Sequence, residues 1–482
     1  MNPPGLVGAL LVLLAGAAAA GPLAACRVAG LAHEARCAAL SRPLDPARPD
    51  GPRIELHYLV VPALARRKLP DPVFLLAGGP GQSAIALAPA LMGVFARLNN
   101  RRDIVFVDQR GTGRSAPLGC DEAEDGPLAE QADVDATLRR LAQCRVRLQA
   151  LPHGRDGGLR FFTTLLASQD LEAVRQALGA PRINLVGVSY GTRVALDYQR
   201  QFPQALRRSV LDGVAPPDMG LPASAAADAQ AALEALFAAC AAEPACQAAW
   251  PALRADWERL LAGLPRAVTL NDPRSGRAQT FTLTREGLLG TVRGPLYAPT
   301  IAAALPAAIG AAAGGRFEPL VALGAVLAPR RESQVYTGMH FSVVCAEDLP
   351  LASALDPPAA RDFGRGLLPL YERACADWPR AELPAAFRTM PPAASPVLLL
   401  SGGLDPATPP RHAARVAAAL GARARPLVVA NAGHGVLGVG CAPDLLTRFI
   451  DAPDDAAALA VDAACLAAIP RPPAFQPMAA PR

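Results

Sequence analysis

The sequence predicts an α/β protein with a mostly parallel sheet flanked by helices and a large helical cap inserted before the last strands. Three observations predict it. Short apolar runs recur along the chain, each ending in glycine-rich turn residues and giving way to a helical pattern, which is how βαβ crossovers read in sequence. After Pro217 that rhythm stops, and Ala- and Leu-rich helical periodicity takes over until about Pro384. The strand rhythm resumes at Val397. The composition suits a packed core, with 51 % hydrophobic and 18 % charged residues, and 482 residues exceed one minimal domain.

In chain order, an apolar stretch from Gly5 to Ala20 with small residues at Ala17 to Ala20 reads as a signal peptide, so residues 1–25 are assigned to a leader. A second reading takes Leu23-Ala24-Ala25-Cys26 as a lipobox, with a lipid anchor at Cys26. The stretch is short for a membrane span, and no other segment reads as apolar for long enough. The chain is therefore expected to be exported, periplasmic or secreted, or else a membrane-anchored lipoprotein. The alternation from Ile54 to Val61 predicts an antiparallel edge strand or hairpin. Core strands follow at 73–77, at 104–107, at 183–186, at 209–211, at 397–400 and at 427–429. The division is a first core part at 26–217, a helical cap at 218–384 and a C-terminal core part at 385–482. The Pro-rich tail after Cys465 is expected to be irregular.

The net charge is +5, carried almost entirely by arginine, with Lys68 the only lysine. The basic residues are scattered and not interleaved with aromatics, so no nucleic-acid partner is expected. Ten cysteines suit an oxidising compartment. Their spacing suggests sequential pairs, 26–37, 120–144, 240–246, 345–375 and 441–465. A lipidated Cys26 would deprive Cys37 of its partner. No clustered Cys/His spacing supports zinc, and neither metal nor cofactor is expected.

The chemistry concentrates at strand ends. Gly187-Val188-Ser189-Tyr190-Gly191 matches G-x-S-x-G between a strand and a helix, a sharp turn that exposes the serine hydroxyl. Ser189 needs a base. Of six histidines, His434 alone has glycine on both sides, and it follows a predicted core strand. Asp405 follows the strand at 397–400 and can orient His434; Asp212 also ends a strand but precedes the insertion. The order Ser, Asp, His favours Asp405 and the α/β-hydrolase fold. The Tyr190 N–H, at a helix N-terminus, can stabilise an oxyanion. A second donor is expected from the glycine turn at 78–81, from Gly78 or Gly79. Asp108 to Ser115 reads as a scaffold loop.

Together, the residues from Gly78 to Ser83, Asp108 to Ser115, Gly187 to Gly191, Gly403 to Pro409 and Gly433-His434-Gly435 resemble peptidase family S33, the prolyl-aminopeptidase and tripeptidyl-aminopeptidase family. The exported tripeptidyl branch is the closer. Ala77 stands where proline iminopeptidases usually have histidine before the glycine loop. The resemblance implies a serine aminopeptidase acting on a peptide with a free N-terminus. It also implies an anionic group for the substrate ammonium, with Glu347 the candidate and Asp348 the reserve. An ester hydrolase with the same residues and a non-catalytic binding protein on this scaffold are the alternatives.

Overall fold

The computed structural model describes residues 21–120, 128–273, 275–326, 335–355 and 360–476. Most of the expected leader lies outside them. The strands are β1 (Ala24–Cys26), β2 (Ala35–Pro43), β3 (Arg53–Val61), β4 (Val73–Leu76), β5 (Ile104–Val107), β6 (Ile183–Val188), β7 (Leu206–Asp212), β8 (Arg266–Asn271), β9 (Ala278–Leu283), β10 (Val397–Gly402) and β11 (Ala424–Val429). Nine form one sheet in the order β1-β2-β3-β5-β4-β6-β7-β10-β11. The β5-β4-β6-β7-β10-β11 part is parallel, and β1, β2 and β3 join antiparallel. β3 forms the expected hairpin with β2 but is not an edge strand, because β2 and β1 lie outside it.

The parallel strands are buried on both faces, which is why they read as continuous apolar runs. Phe74, Leu185, Leu211 and Leu399 face one hydrophobic cluster, packed by helices Val134–Ala150, Thr164–Ala177, Tyr190–Gln201 and Pro410–Leu420. Leu75, Val186, Val210 and Leu400 face the other, packed by helices Ala84–Asn99 and Ala442–Asp451. Truncating a side chain such as Leu399 to alanine would cost about 2–5 kcal/mol. Register brings the strand ends level: Leu76 pairs with Gly187, Val188 with Asp212, and Asp212 with Leu400. The loops that leave β4, β6, β7 and β10 thus meet at one edge, where open α/β sheets bind ligands.

Between β7 and β10 the insertion has two unlike parts. Its outer part, with helices Leu221–Ala242, Leu253–Ala262, Arg285–Leu296 and Leu305–Ala313, packs around its own core with Phe237 and Trp257. It also contains the β8–β9 hairpin, which a purely helical reading omits. Helix Leu221–Ala242 has a mean hydropathy of 1.2 over a span long enough to cross a membrane, contrary to the expectation that no segment past the leader does, but it is half-buried against this core. The inner part has helices Thr337–Val343 and Leu349–Leu355, joined through a π turn at Val344–Asp348, and helix Leu368–Cys375, and it contributes Met339, Phe341, Cys345, Tyr371 and Trp378 to the main core.

All ten cysteines are paired, in the sequential order their spacing suggests. Five disulfides are consistent with an extracellular, oxidising setting. The Cys26–Cys37 bridge and a lipidated Cys26 exclude each other, and the structure contains the bridge.

Candidate active site

Ser189 stands between β6 and helix Tyr190–Gln201 with φ +56° and ψ −123°, a region that costs a non-glycine residue about 1–3 kcal/mol. The flanking glycines make the turn possible. A Cβ on Gly187 would lie 2.6 Å from Gly191 O, and one on Gly191 would lie 2.1 Å from Leu76 O. The Ser189 N–H donates to Asp212 O at 2.8 Å, which ties the turn to the end of β7. Ser189 is only half-buried.

His434 reaches the same strand end from the loop after β11. Its Nδ1 lies 2.9 Å from Asp405 Oδ2. The remaining capacity of that carboxylate is filled by the N–H groups of Ala407 and Thr408 and by the Thr408 hydroxyl. Burial would raise the Asp405 pKa, but His434 and these donors outweigh it and hold the carboxyl below its usual range. Burial would likewise depress His434, but the Asp405 and Asp212 carboxylates raise it above the usual imidazole value. The ring packs edge-on against Tyr297 and over Gly213, where a Cβ would come within 3.3 Å of Cε1. Ser189 and His434 therefore both lie against the Asp212–Gly213 segment. Asp212 does not hydrogen-bond the imidazole. Its carboxylate accepts the N–H groups of Val436 and Leu437, fixing the His434 loop, and burial pushes its pKa up to about 6.

Gly78 sits against Ser189: a Cβ on it would lie 3.1 Å from Ser189 Cβ. Gly79 follows with φ +110°. The loop from Asp108 to Ser115 holds the segment that follows the glycine turn. The Asp108 carboxylate accepts from the Ser83 hydroxyl and from the N–H groups of Ile85 and Arg114, and Arg110 pairs with Asp170 through two nitrogens. A half-buried serine, an imidazole oriented by a carboxylate, and backbone donors beside the serine are the parts that acyl transfer requires.

Two family models match the chain, one described as alpha/beta hydrolase fold over residues 71–265 and one as TAP-like protein over residues 360–461. The chain has the α/β-hydrolase fold. A serine protease Hip1 of Mycobacterium tuberculosis (strain ATCC 25618 / H37Rv) is 33 % identical over 196 residues, 38 % of this chain and 36 % of that one. A tripeptidyl aminopeptidase of Streptomyces coelicolor is 31 % identical over 199 residues, 38 % of this chain and 35 % of that one. A carboxylesterase B of Mycobacterium tuberculosis (strain CDC 1551 / Oshkosh) is 29 % identical over 234 residues, 44 % of this chain and 43 % of that one. The chain thus spans about a third of the length of the first two relatives.

Glu347 and Asp348 already have partners. Both side chains are buried, at 0 % and 1 % exposure. Glu347 accepts from the Thr164 N–H and hydroxyl, both at 2.7 Å, and lies 3.5 Å from Arg193. Asp348 takes both terminal nitrogens of Arg193 and the Leu221 N–H. Burial pushes the Glu347 pKa up to about 7, partly opposed by Arg193 and Thr164. The network runs on to Tyr190, the residue after Ser189. Gln109 Nε2 donates to the Tyr190 hydroxyl, that hydroxyl lies 2.7 Å from Thr164 Oγ1, and Thr164 donates to Glu347. Sequence reasoning gave Glu347 no such place, because Thr164, Tyr190 and Glu347 belong to three separated segments with no shared motif.

Proposed function

We propose that this hydrolase is a serine peptidase that cleaves near the free N-terminus of peptides through an acyl-enzyme. The observation that carries the reading is the His434–Asp405 pair beside a half-buried serine on a strained turn. His434 takes the Ser189 proton through Nε2 as the hydroxyl attacks the peptide carbonyl. The oxyanion that forms is met by the Tyr190 N–H and by an N–H of the Gly78–Gly79 turn. His434 then gives its proton to the leaving amine, and water, deprotonated by the same imidazole, releases the acyl group. Asp405 holds the ring and stabilises its charged form.

The choice of peptides over other acyl substrates is supported by the relatives named serine protease and tripeptidyl aminopeptidase. Export to the periplasm or beyond is supported by the disulfides and the apolar leader. The relative named carboxylesterase B favours a second reading, an ester hydrolase with the same three residues.

Matched chromogenic dipeptides and tripeptides, with free and blocked N-termini, separate these readings when assayed beside short acyl esters. Turnover is expected on free tripeptides or dipeptides. Equal turnover of blocked peptides would remove the aminopeptidase reading, and turnover of esters alone would leave the esterase. The aminopeptidase reading also needs a carboxylate for the substrate ammonium. Glu347 is the candidate, and it would have to release Thr164 to serve. If Glu347→Gln keeps the full preference for free over blocked peptides, Glu347 does not bind the amine.

A further inference from the structure

Gly78, Gly79, Pro80 and Gly81 have no polar side chain, and Gly79 and Gly81 both have positive φ. Beyond the turn's own bond, with the Gln82 N–H donating to Gly78 O at 3.2 Å, such a stretch gains order when something outside it binds its backbone. The inner part of the insertion does so. The Tyr336 N–H donates to Gly81 O at 2.8 Å, and Val335 bridges to Gln82. One helical turn on, His340 Nδ1 lies 3.2 Å from Pro80 O. A carbonyl only accepts, so Nδ1 bears the hydrogen. The other ring nitrogen, 2.6 Å from the Tyr371 hydroxyl, accepts from it in the neutral ring. Burial holds the His340 pKa below the usual imidazole value, which agrees with a neutral ring.

Tyr371 is held in its turn. It lies four residues before Cys375 on helix Leu368–Cys375, so the two side chains share a face. Cys375 is bonded to Cys345, five residues beyond His340. The disulfide and the His340–Tyr371 hydrogen bond therefore join the same two segments at two points. The helix that carries His340 is also seated on the core, with the Gly338 N–H donating to Leu118 O and Met339 against Gly111.

We propose that His340 is a positioning residue that fixes the Gly78–Gly81 turn in its oxyanion-binding form, braced by Tyr371 and the Cys345–Cys375 bridge. The inference rests on the serine-hydrolase reading and adds a dependence of the oxyanion site on the insertion.

The test uses the full exported chain. For His340→Ala, His340→Gln and Tyr371→Phe, kcat and KM on a turned-over peptide are measured per titrated serine. Affinity for a peptide boronate, whose adduct places an oxygen in the oxyanion site, is measured in parallel. His340→Ala is expected to lose about 10- to 100-fold in kcat with KM within about twofold, and to lose boronate affinity by the same factor. His340→Gln, whose amide can donate to Pro80 O, is expected to recover most of both. Tyr371→Phe, which removes only the hydroxyl, is expected to lose about fivefold in kcat. Per-site kcat within twofold of wild type in His340→Ala, or no recovery in His340→Gln, overturns the proposal. If His340→Ala does not fold, the glutamine and phenylalanine variants decide it on the same criteria. Wild-type protein that neither turns over peptides or esters nor binds boronate would sink the hydrolase reading itself, before any variant is compared.

Discussion

The strand ends and the inner part of the insertion both reach the active site, but they bring different things. The strand ends bring Ser189, His434 and Asp405, each on a loop whose origin is fixed by sheet register. The inner insertion brings Glu347 and His340, neither of which is placed to react. Each grips a neighbour of the groups proposed to bind the oxyanion: Glu347 through Thr164 to Tyr190, and His340 through Pro80 to the glycine turn. The outer insertion packs mainly on itself. Reacting groups thus sit on the rigid sheet, and the groups that tune them arrive from an element added to it. A variant's kinetic signature should reveal which of the two it touches.

The largest effect belongs to the nucleophile. Ser189→Ala is expected to lower kcat by about 10⁴- to 10⁶-fold, because the general base is useless without the hydroxyl. Residual turnover within tenfold of wild type would remove Ser189 from the mechanism and with it the comparison.

The next effect separates two carboxylates at neighbouring strand ends. Asp405→Asn should lower kcat about 10⁴-fold, since an amide can hold the ring in the wrong tautomer. Asp212→Asn should be much milder in rate, about tenfold, and should destabilise the fold by about 1–3 kcal/mol by weakening the anchors of Val436 and Leu437. Equal rate losses would make Asp212 a second orienting acid. The pH profile gives the same answer independently. His434 must be neutral to accept the proton, and its pKa is raised, so kcat/KM should fall as pH drops through a midpoint above 6.5. That midpoint should move down when the Asp405 charge is removed.

A smaller effect is expected from Glu347→Gln, about 10-fold or less in kcat, because the amide keeps one acceptor for Thr164 and Arg193 keeps Asp348. Its stability signature has a definite sign. The folded pKa of about 7 lies above the ordinary glutamate value of 4.5, so the contribution is fully present below 4.5 and is lost as pH rises toward 7. Thermal melts of wild type and Glu347→Gln should differ in slope across that window, with the wild type losing ground to the variant as pH rises. Parallel curves would mean that Glu347 is ionised throughout.

This contrast also explains what could be read in the chain. Parallel strands buried on both faces announce themselves as apolar runs, and the turns at Ser189, Asp405 and His434 follow from where those runs end. β8 and β9 were legible as well: Val268 and Leu270 alternate with exposed residues on one side of a Gly-containing turn, and Phe281 and Leu283 do so on the other. The surrounding alanine-rich helices mask that short alternation. The partners of Glu347 and His340 were not legible. Their contacts span 183 and 260 residues, and a buried carboxylate in a Cys-Ala-Glu-Asp stretch looks the same in sequence whether it faces a substrate or Thr164.

The mildest test compares two disulfides, one in each part of the insertion. Cys240–Cys246 closes a separation of 6 residues in the outer part, and Cys345–Cys375 closes 30 in the inner part. Chain entropy alone assigns them about 2 and about 3.5 kcal/mol. Replacing either pair by alanine should therefore lower stability by similar, modest amounts. Their effects on turnover should differ in kind. Loss of the outer bridge leaves every contact to the oxyanion donors in place, so kcat per titrated serine should stay within about twofold. Loss of the inner bridge frees the helix that carries Tyr371, and through His340 the glycine turn, so kcat should fall while KM holds. If the two double variants show the same kcat at temperatures well below their melting points, the inner insertion is a passive cover like the outer one, and the active site is complete on the sheet alone.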